Sequence, residues 1–282
     1  MSFTIAASVD EALAALAAGA RPIAGGSDLV VGARNGKFAL PMHLVAIDRV
    51  VALSGLDVTA DGLRIGATVN HATLQFHPAI VSSYSALADG AALVGSPATR
   101  NVGTIGGNVM NASPAMDTGA PLVVLDADVE LRSASAGSRR VPIEALWIGP
   151  GRTSAGDDEL CLAVYLPTRA PRSASAYVRL EYRRAMEIAV VGAAVSLTLA
   201  ADGTLAALSV ALNAVAPTIL RVHGLDELLG RSVSDVEPML AVLASEQARP
   251  ISDLRASDKY RRHCVGVMAR RALVAAAGRV TA

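Results

Sequence analysis

Apolar positions near the start of the chain recur at helical spacing. Leu13 and Leu16 follow Ser8-Val9-Asp10-Glu11, a capping box in which the Ser8 hydroxyl can accept from the Glu11 amide, and Gly19 stops the helix. Residues 22–24 predict a short strand that runs into Gly25-Gly26-Ser27-Asp28, with Leu29-Val30-Val31 continuing as a short helix. Residues 44–47 predict a second strand. Residues 56–66 alternate around Asp61-Gly62, a pair that supplies the positive φ angles of a tight hairpin turn. Residues 85–94 have helical composition, and residues 114–125 read as a helix with Pro114 at its start followed by Leu122 and Leu125. Strands are predicted at 128–132, 139–143 and 160–166, joined by Ser- and Gly-rich turns.

The pattern breaks at residues 167–175, where Pro167, Arg169, Pro171 and Arg172 are interleaved with small residues. Beyond this boundary it becomes simpler. Residues 177–182, 189–199 and 205–215 predict strands, the last two joined by an Asp202-Gly203 turn, and helices are predicted near Leu225, at 235–247 and at 257–277. A three-stranded antiparallel sheet covered by helices is an α+β domain. In the last helix Tyr260, Cys264, Met268 and Ala272 recur every four residues as a buried stripe, with Arg261, Arg262, Arg270 and Arg271 on a solvated basic face.

Composition narrows the class. The 282 residues are 52% apolar but 3% aromatic, so a sizeable core has to be built from Ala, Val, Leu and Ile, most comfortably in two domains. Lys plus Arg and Asp plus Glu are 25 each, which leaves no global field to attract nucleic acid or an anionic membrane. Cys161 and Cys264 stand alone without a C-x-x-C pattern and are expected to be reduced core residues. The opening residues lack the charged and apolar regions of a secretory signal, so the expected location is the cytoplasm. The most apolar run, 188–201, is too short to span a bilayer and carries Gly192, Ser196 and Thr198, so no transmembrane segment is expected.

Two glycine-rich turns carry the candidate chemistry: Ala24-Gly25-Gly26-Ser27-Asp28 and Gly103-Thr104-Ile105-Gly106-Gly107-Asn108. Paired glycines let successive amides point at one anion while a neighbouring hydroxyl adds a donor, and two such turns suit a diphosphate gripped from both sides. One turn alone would be an ordinary strand-to-helix connection. Residues 32–37 are one short of a Walker A spacing, and no G-x-G-x-x-G, G-x-S-x-G or H-E-x-x-H is present. His43, His71, His77, His223 and His263 are scattered without ligand spacing and read as surface or hydrogen-bonded residues; Trp147 reads as core.

Arg100-Asn101-Val102-Gly103-Thr104-Ile105-Gly106-Gly107-Asn108, followed by Asn111-Ala112-Ser113-Pro114 and Asp117, closely resembles the signature of the FAD-binding medium subunit of the molybdenum hydroxylases, the xanthine dehydrogenase and carbon monoxide dehydrogenase family. Residues 24–29, 62–67, His71-Ala72, Gly149-Pro150-Gly151-Arg152-Thr153 and 177–191 extend the resemblance over almost the whole chain.

The resemblance implies an α+β protein with a flavin domain of the vanillyl-alcohol-oxidase type over residues 1–170, divided into α/β subdomains of about 1–55 and 56–170, and a C-terminal α+β domain over 176–282. It implies FAD held at Ala24, Gly25, Gly26, Ser27, Asp28 and Leu29 on one side of the diphosphate and at Thr104, Ile105, Gly106, Gly107 and Asn108 on the other. Asp117 would accept from ribityl or ribose hydroxyls, and Leu160, Cys161 and Leu162 match a strand touching the cofactor edge. Arg179 stands where the family often has a Lys near the cofactor, and the alternative for it is a solvent-facing strand residue. The implied partners are a large molybdopterin-containing subunit and a small [2Fe-2S] subunit in a dimer of heterotrimers, with electrons leaving to an external acceptor. Two cysteines exclude the [4Fe-4S] cluster that some relatives insert here. A self-contained flavin oxidase or reductase lacks a convincing Tyr, His or Cys arrangement, and an assembly subunit without cofactor would not need Gly106, Gly107 and Asp117.

Overall fold

The computed structural model describes residues 2–280. β1 (Ser2–Ile5) leads to the capping box, where Ser8 Oγ accepts from the Glu11 amide at 3.2 Å and the Glu11 carboxylate accepts from the Ala7 amide at 2.8 Å. α1 (Val9–Ala17), β2 (Arg21–Ile23), α2 (Ser27–Arg34) and β3 (His43–Ala46) follow, and the strands form a parallel sheet in the order β1-β3-β2. β1 is additional to the strands expected from sequence. All four of its side chains are exposed, so it lacks the alternation that marks a half-buried strand.

β4 (Leu56–Thr59) and β5 (Gly62–Gly66) form the hairpin around Asp61-Gly62. Six short helices then run between β5 and the next strand: α3 (His71–Phe76), α4 (Pro78–Ser83), α5 (Ser85–Leu93), α6 (Pro97–Val102), α7 (Ile105–Asn111) and α8 (Gly119–Val124). The helix expected from Pro114 begins only at Gly119. The Pro114 carbonyl accepts from the Ala214 amide at 2.7 Å instead, which holds residues 113–118 as a turn. β6 (Asp128–Ser133), β7 (Gly137–Pro142), α9 (Ile143–Leu146), the small hairpin of β8 (Trp147–Gly149) and β9 (Arg152–Thr153), and β10 (Leu160–Pro167) complete a five-stranded antiparallel sheet, β4-β5-β10-β6-β7.

The remaining chain forms an antiparallel sheet of β11 (Ser173–Leu180), β12 (Val191–Leu199), β13 (Leu205–Asn213) and β14 (Leu220–Arg221), covered by α10 (Val233–Gln247) and α11 (Asp258–Ala277). β14 makes this sheet four-stranded where three were expected; two residues are too few to carry a periodic signal. In α11 the buried stripe starts at Cys264, because Tyr260 is exposed, and Arg261 does not belong to a solvated face. Its Nη1 donates to the Val190 and Ala214 carbonyls at 2.8 and 3.1 Å, and its Nη2 to Asp253 at 2.7 Å. Burying that charge is tolerable because three acceptors replace water. Among the described residues, no helix is long and apolar enough to cross a membrane.

Candidate functional site

The two glycine turns meet. An ideal Cβ on Gly25 would lie 1.8 Å from the Val102 carbonyl oxygen, so glycine is required for the first turn to press against the end of α6. An ideal Cβ on Gly103 would lie 3.5 Å from Ser27 Oγ, which puts the start of the second turn beside the hydroxyl of the first. Gly26 has φ +66° and swings the backbone into α2. Among the described residues the amides of Gly25, Gly26, Ser27, Asp28 and Leu29 donate to no protein acceptor. Such a row of successive free N–H groups at a helix N-terminus is an anion-binding arrangement. Ala24 packs beneath it on the core of the parallel sheet.

The second turn is built differently from the matching row expected. Thr104 caps α7, with Oγ1 accepting from the Gly107 amide at 3.1 Å. The Ile105 and Gly106 amides donate to the Val69 and Ala67 carbonyls, each at 2.9 Å, so those two amides face the fold and not a ligand. Gly106 is glycine because a Cβ would come within 2.6 Å of Ala67 Cβ. Gly107 is exposed, and outside its own helix a Cβ there would meet only Thr104 Oγ1, at 3.0 Å. Asn108 accepts from the Thr118 hydroxyl at 2.5 Å and so ties α7 to the turn that carries Asp117. At the far end of α7, Trp147 Nε1 donates to the Val109 carbonyl at 2.9 Å, as a core residue.

Asp117 is 7% exposed and lies in the turn before α8, against β11. Its Oδ1 accepts from the Tyr177 hydroxyl at 2.9 Å and its Oδ2 from Arg179 Nη1 at 2.5 Å. Arg179 Nε donates to Glu181 at 2.6 Å, and Asn213 Nδ2 donates to the Tyr177 oxygen at 3.0 Å and to the Met116 carbonyl at 3.2 Å. Arg179 is therefore not a solvent-facing strand residue, since its side chain is 1% exposed and bonded to two carboxylates. Asp117 can offer a sugar hydroxyl only the lone pairs that Tyr177 and Arg179 leave. Burial lifts the Asp117 carboxyl to about 6, against the downward pull of Arg179 and Tyr177. The network needs room that Gly192 provides: a Cβ there would lie 2.1 Å from Asn213 Oδ1 and 2.6 Å from the Tyr177 hydroxyl.

The side chains of Leu160, Cys161 and Leu162, the start of β10, are all buried in packing. Leu160 and Leu162 point into the core of the parallel sheet with Leu13, Leu16 and Val45, while Cys161 faces the larger core on the other side of β10. Burial pushes the Cys161 thiol up to about 12, so it is inert. The Leu162 carbonyl accepts from the Ala67 amide at 3.0 Å, and Ala67 is the residue against which Gly106 rests. His71 contradicts the reading of an ordinary surface or hydrogen-bonded histidine: it is buried beside Gly103, and its Nδ1 has no partner. A groove of about 550 Å³ between α10 and α11 is lined by Glu237, Arg270 and Arg271 and lies away from both glycine turns.

Residues 1–169 match the family model described as the FAD binding domain in molybdopterin dehydrogenase, and residues 176–276 match the CO dehydrogenase flavoprotein C-terminal domain. The xanthine dehydrogenase FAD-binding subunit of Escherichia coli O157:H7 is 30% identical over 92% of this chain and 90% of its own length. The carbon monoxide dehydrogenase medium chain of Hydrogenophaga pseudoflava is 31% identical over 95% and 94%. Among solved structures, a chain of carbon monoxide dehydrogenase from Hydrogenophaga pseudoflava superposes with a TM-score of 0.93 at 30% identity, covering 100% of this chain and 98% of that one. A chain of quinoline 2-oxidoreductase from Pseudomonas putida 86 gives 0.92 at 27% identity, with coverage of 100% and 98%. With both segments matched and the likeness running the length of the chain, this protein belongs to the family of FAD-binding subunits of the molybdopterin dehydrogenases.

Proposed function

We propose that this chain is the electron outlet of a heteromeric molybdenum hydroxylase. It takes electrons from a small [2Fe-2S] subunit and passes them through FAD to an external acceptor, while a large molybdopterin-containing subunit hydroxylates the substrate. The assembly is a dimer of heterotrimers. The flavin domain comprises residues 1–170, with subdomains of about 1–55 and 56–170, and the C-terminal domain residues 176–282.

The observation that carries this reading is the row of five free amides at residues 25–29, packed against Val102 and Gly103 at the start of the second glycine turn, in which Gly107 is exposed. The donors fit a diphosphate: amides and the Ser27 hydroxyl supply hydrogen bonds, and the α2 dipole favours negative charge. Bound FAD would supply one- and two-electron chemistry. Ser27 and the amides of Gly25, Gly26, Ser27 and Asp28 would bind and orient the phosphates. Gly107 would let the cofactor chain approach the α7 backbone, where Val or Leu would block it. Asp117, held by Tyr177 and Arg179, would fix the turn under the ribityl side of the site.

A visible absorption spectrum of the purified chain, with chromatography of the released nucleotide, tests the first part. The expected result is one FAD per chain, and a colourless protein that FAD cannot reconstitute overturns it. Mixing with the two partner subunits tests the second part. Substrate should reduce the flavin only when both are present, and reduction of the chain alone would make it a self-contained flavin oxidase or reductase.

A further inference from the structure

His71 begins α3 at the junction of the two glycine turns. It is 1% exposed, and its Nδ1 is buried without a hydrogen-bond partner among the described residues. Its amide donates to the Gly103 carbonyl at 3.1 Å. The opposite edge of the ring faces the junction: an ideal Cβ on Gly103 would lie 3.4 Å from His71 Cδ2 and 3.5 Å from Ser27 Oγ. Cδ2 is bonded to Nε2, so Nε2 lies on the side of the ring turned toward the junction and Nδ1 on the side turned away.

A neutral imidazole carries one proton, on either nitrogen. On Nδ1 it would be a buried N–H with no acceptor; on Nε2 it leaves a bare lone pair inside and a donor beside the turns, which fits the packing better. Burial, helped by the nearby Arg100 charge, brings the imidazole down to about 4, so the ring stays neutral at physiological pH. A neutral donor adds a hydrogen bond to the row of amides without adding a charge that would need its own partner.

We propose that His71 is a positioning residue for the flavin diphosphate, its Nε2–H donating to a phosphate oxygen beside the Ser27 hydroxyl. This inference rests on the FAD reading above. It assigns the diphosphate a side-chain donor from α3, besides the two glycine turns, and gives the buried ring a task that packing alone does not explain.

The test uses the full chain with ¹⁵N-labelled histidine, titrated with FAD, alongside His71→Phe and His71→Gln. The expected spectrum shows the His71 ring neutral and protonated on Nε2 from pH 5.5 to 8, with the Nε2 resonance moving on FAD addition. His71→Phe keeps the volume and removes the donor, so FAD should bind about tenfold or more weakly. His71→Gln, whose amide can place a donor near the same point, should recover most of that loss. Wild-type protein that binds FAD with the proton on Nδ1, or with an unmoved Nε2 resonance, overturns the His71 inference alone. Wild-type protein that takes up no FAD overturns the FAD reading and this inference with it.

Discussion

Arg179 Nη1 donates to Asp117 Oδ2 at 2.5 Å, so a cation from β11 neutralises a carboxylate in the turn before α8. Removing the cation leaves Asp117 buried beside Glu181 with nothing to balance either charge. Arg179→Met should therefore cost about 3–5 kcal/mol in urea denaturation, the usual result of breaking a buried pair from one side. Arg179→Lys should fall between, because a single ammonium cannot reproduce the fork that reaches both Asp117 and Glu181.

The same carboxyl gives stability a pH dependence of definite sign. Its value in the folded chain, about 6, lies above the ordinary carboxylate value, so the folded state holds this proton more tightly than the unfolded state does. The contribution is fully present below about pH 4 and is lost as pH rises through about 6, amounting to roughly 3 kcal/mol. Urea midpoints between pH 4 and 7 should show this slope in the wild type, and Asp117→Asn should flatten it. A slope that survives the substitution belongs to other groups.

Adjacent glycines in α7 should fail in different assays. Gly106→Ala drives a methyl into Ala67 and should destabilise the fold by about 1–3 kcal/mol, read as a lower urea midpoint. Gly107→Val places its side chain on the open side, so the urea midpoint should move by less than that of Gly106→Ala while FAD retention after gel filtration is lost. Retention equal to wild type would remove this turn from the site.

Trp147→Phe removes the donor to the Val109 carbonyl while keeping most of the apolar contact. The expected loss is about 1 kcal/mol, measured by thermal unfolding, with a larger effect on FAD retention if the end of α7 loosens.

Local chemistry was legible in the sequence. Ser8 and Glu11, the turns at Asp61-Gly62 and Asp202-Gly203, and the first glycine turn each act within a few residues, and each appears where its pattern placed it. Asp117 and Arg179 are both legible as candidates, but their pairing is not, because they are 62 positions apart and meet only when the turn before α8 packs against β11. The inward-facing amides of Ile105 and Gly106 were missed for the same reason: their acceptors, Val69 and Ala67, lie in another segment. A local sign was available at Thr104, whose spacing to Gly107 is that of an N-cap, and at Ser96-Pro97, which opens α6. His71 gave no such sign, since its burial is entirely tertiary.

Gly192 limits how freely the two ends of this chain could be exchanged with those of relatives. A chimera that took its C-terminal segment from another subunit would have to import the glycine together with a tyrosine and a cation on the neighbouring strand, because a single methyl at 192 would fill the space where the Tyr177 hydroxyl and the Asn213 amide meet. Grafts that preserve the glycine turns and neglect this position should fold as two incompatible halves, however closely their cofactor motifs agree.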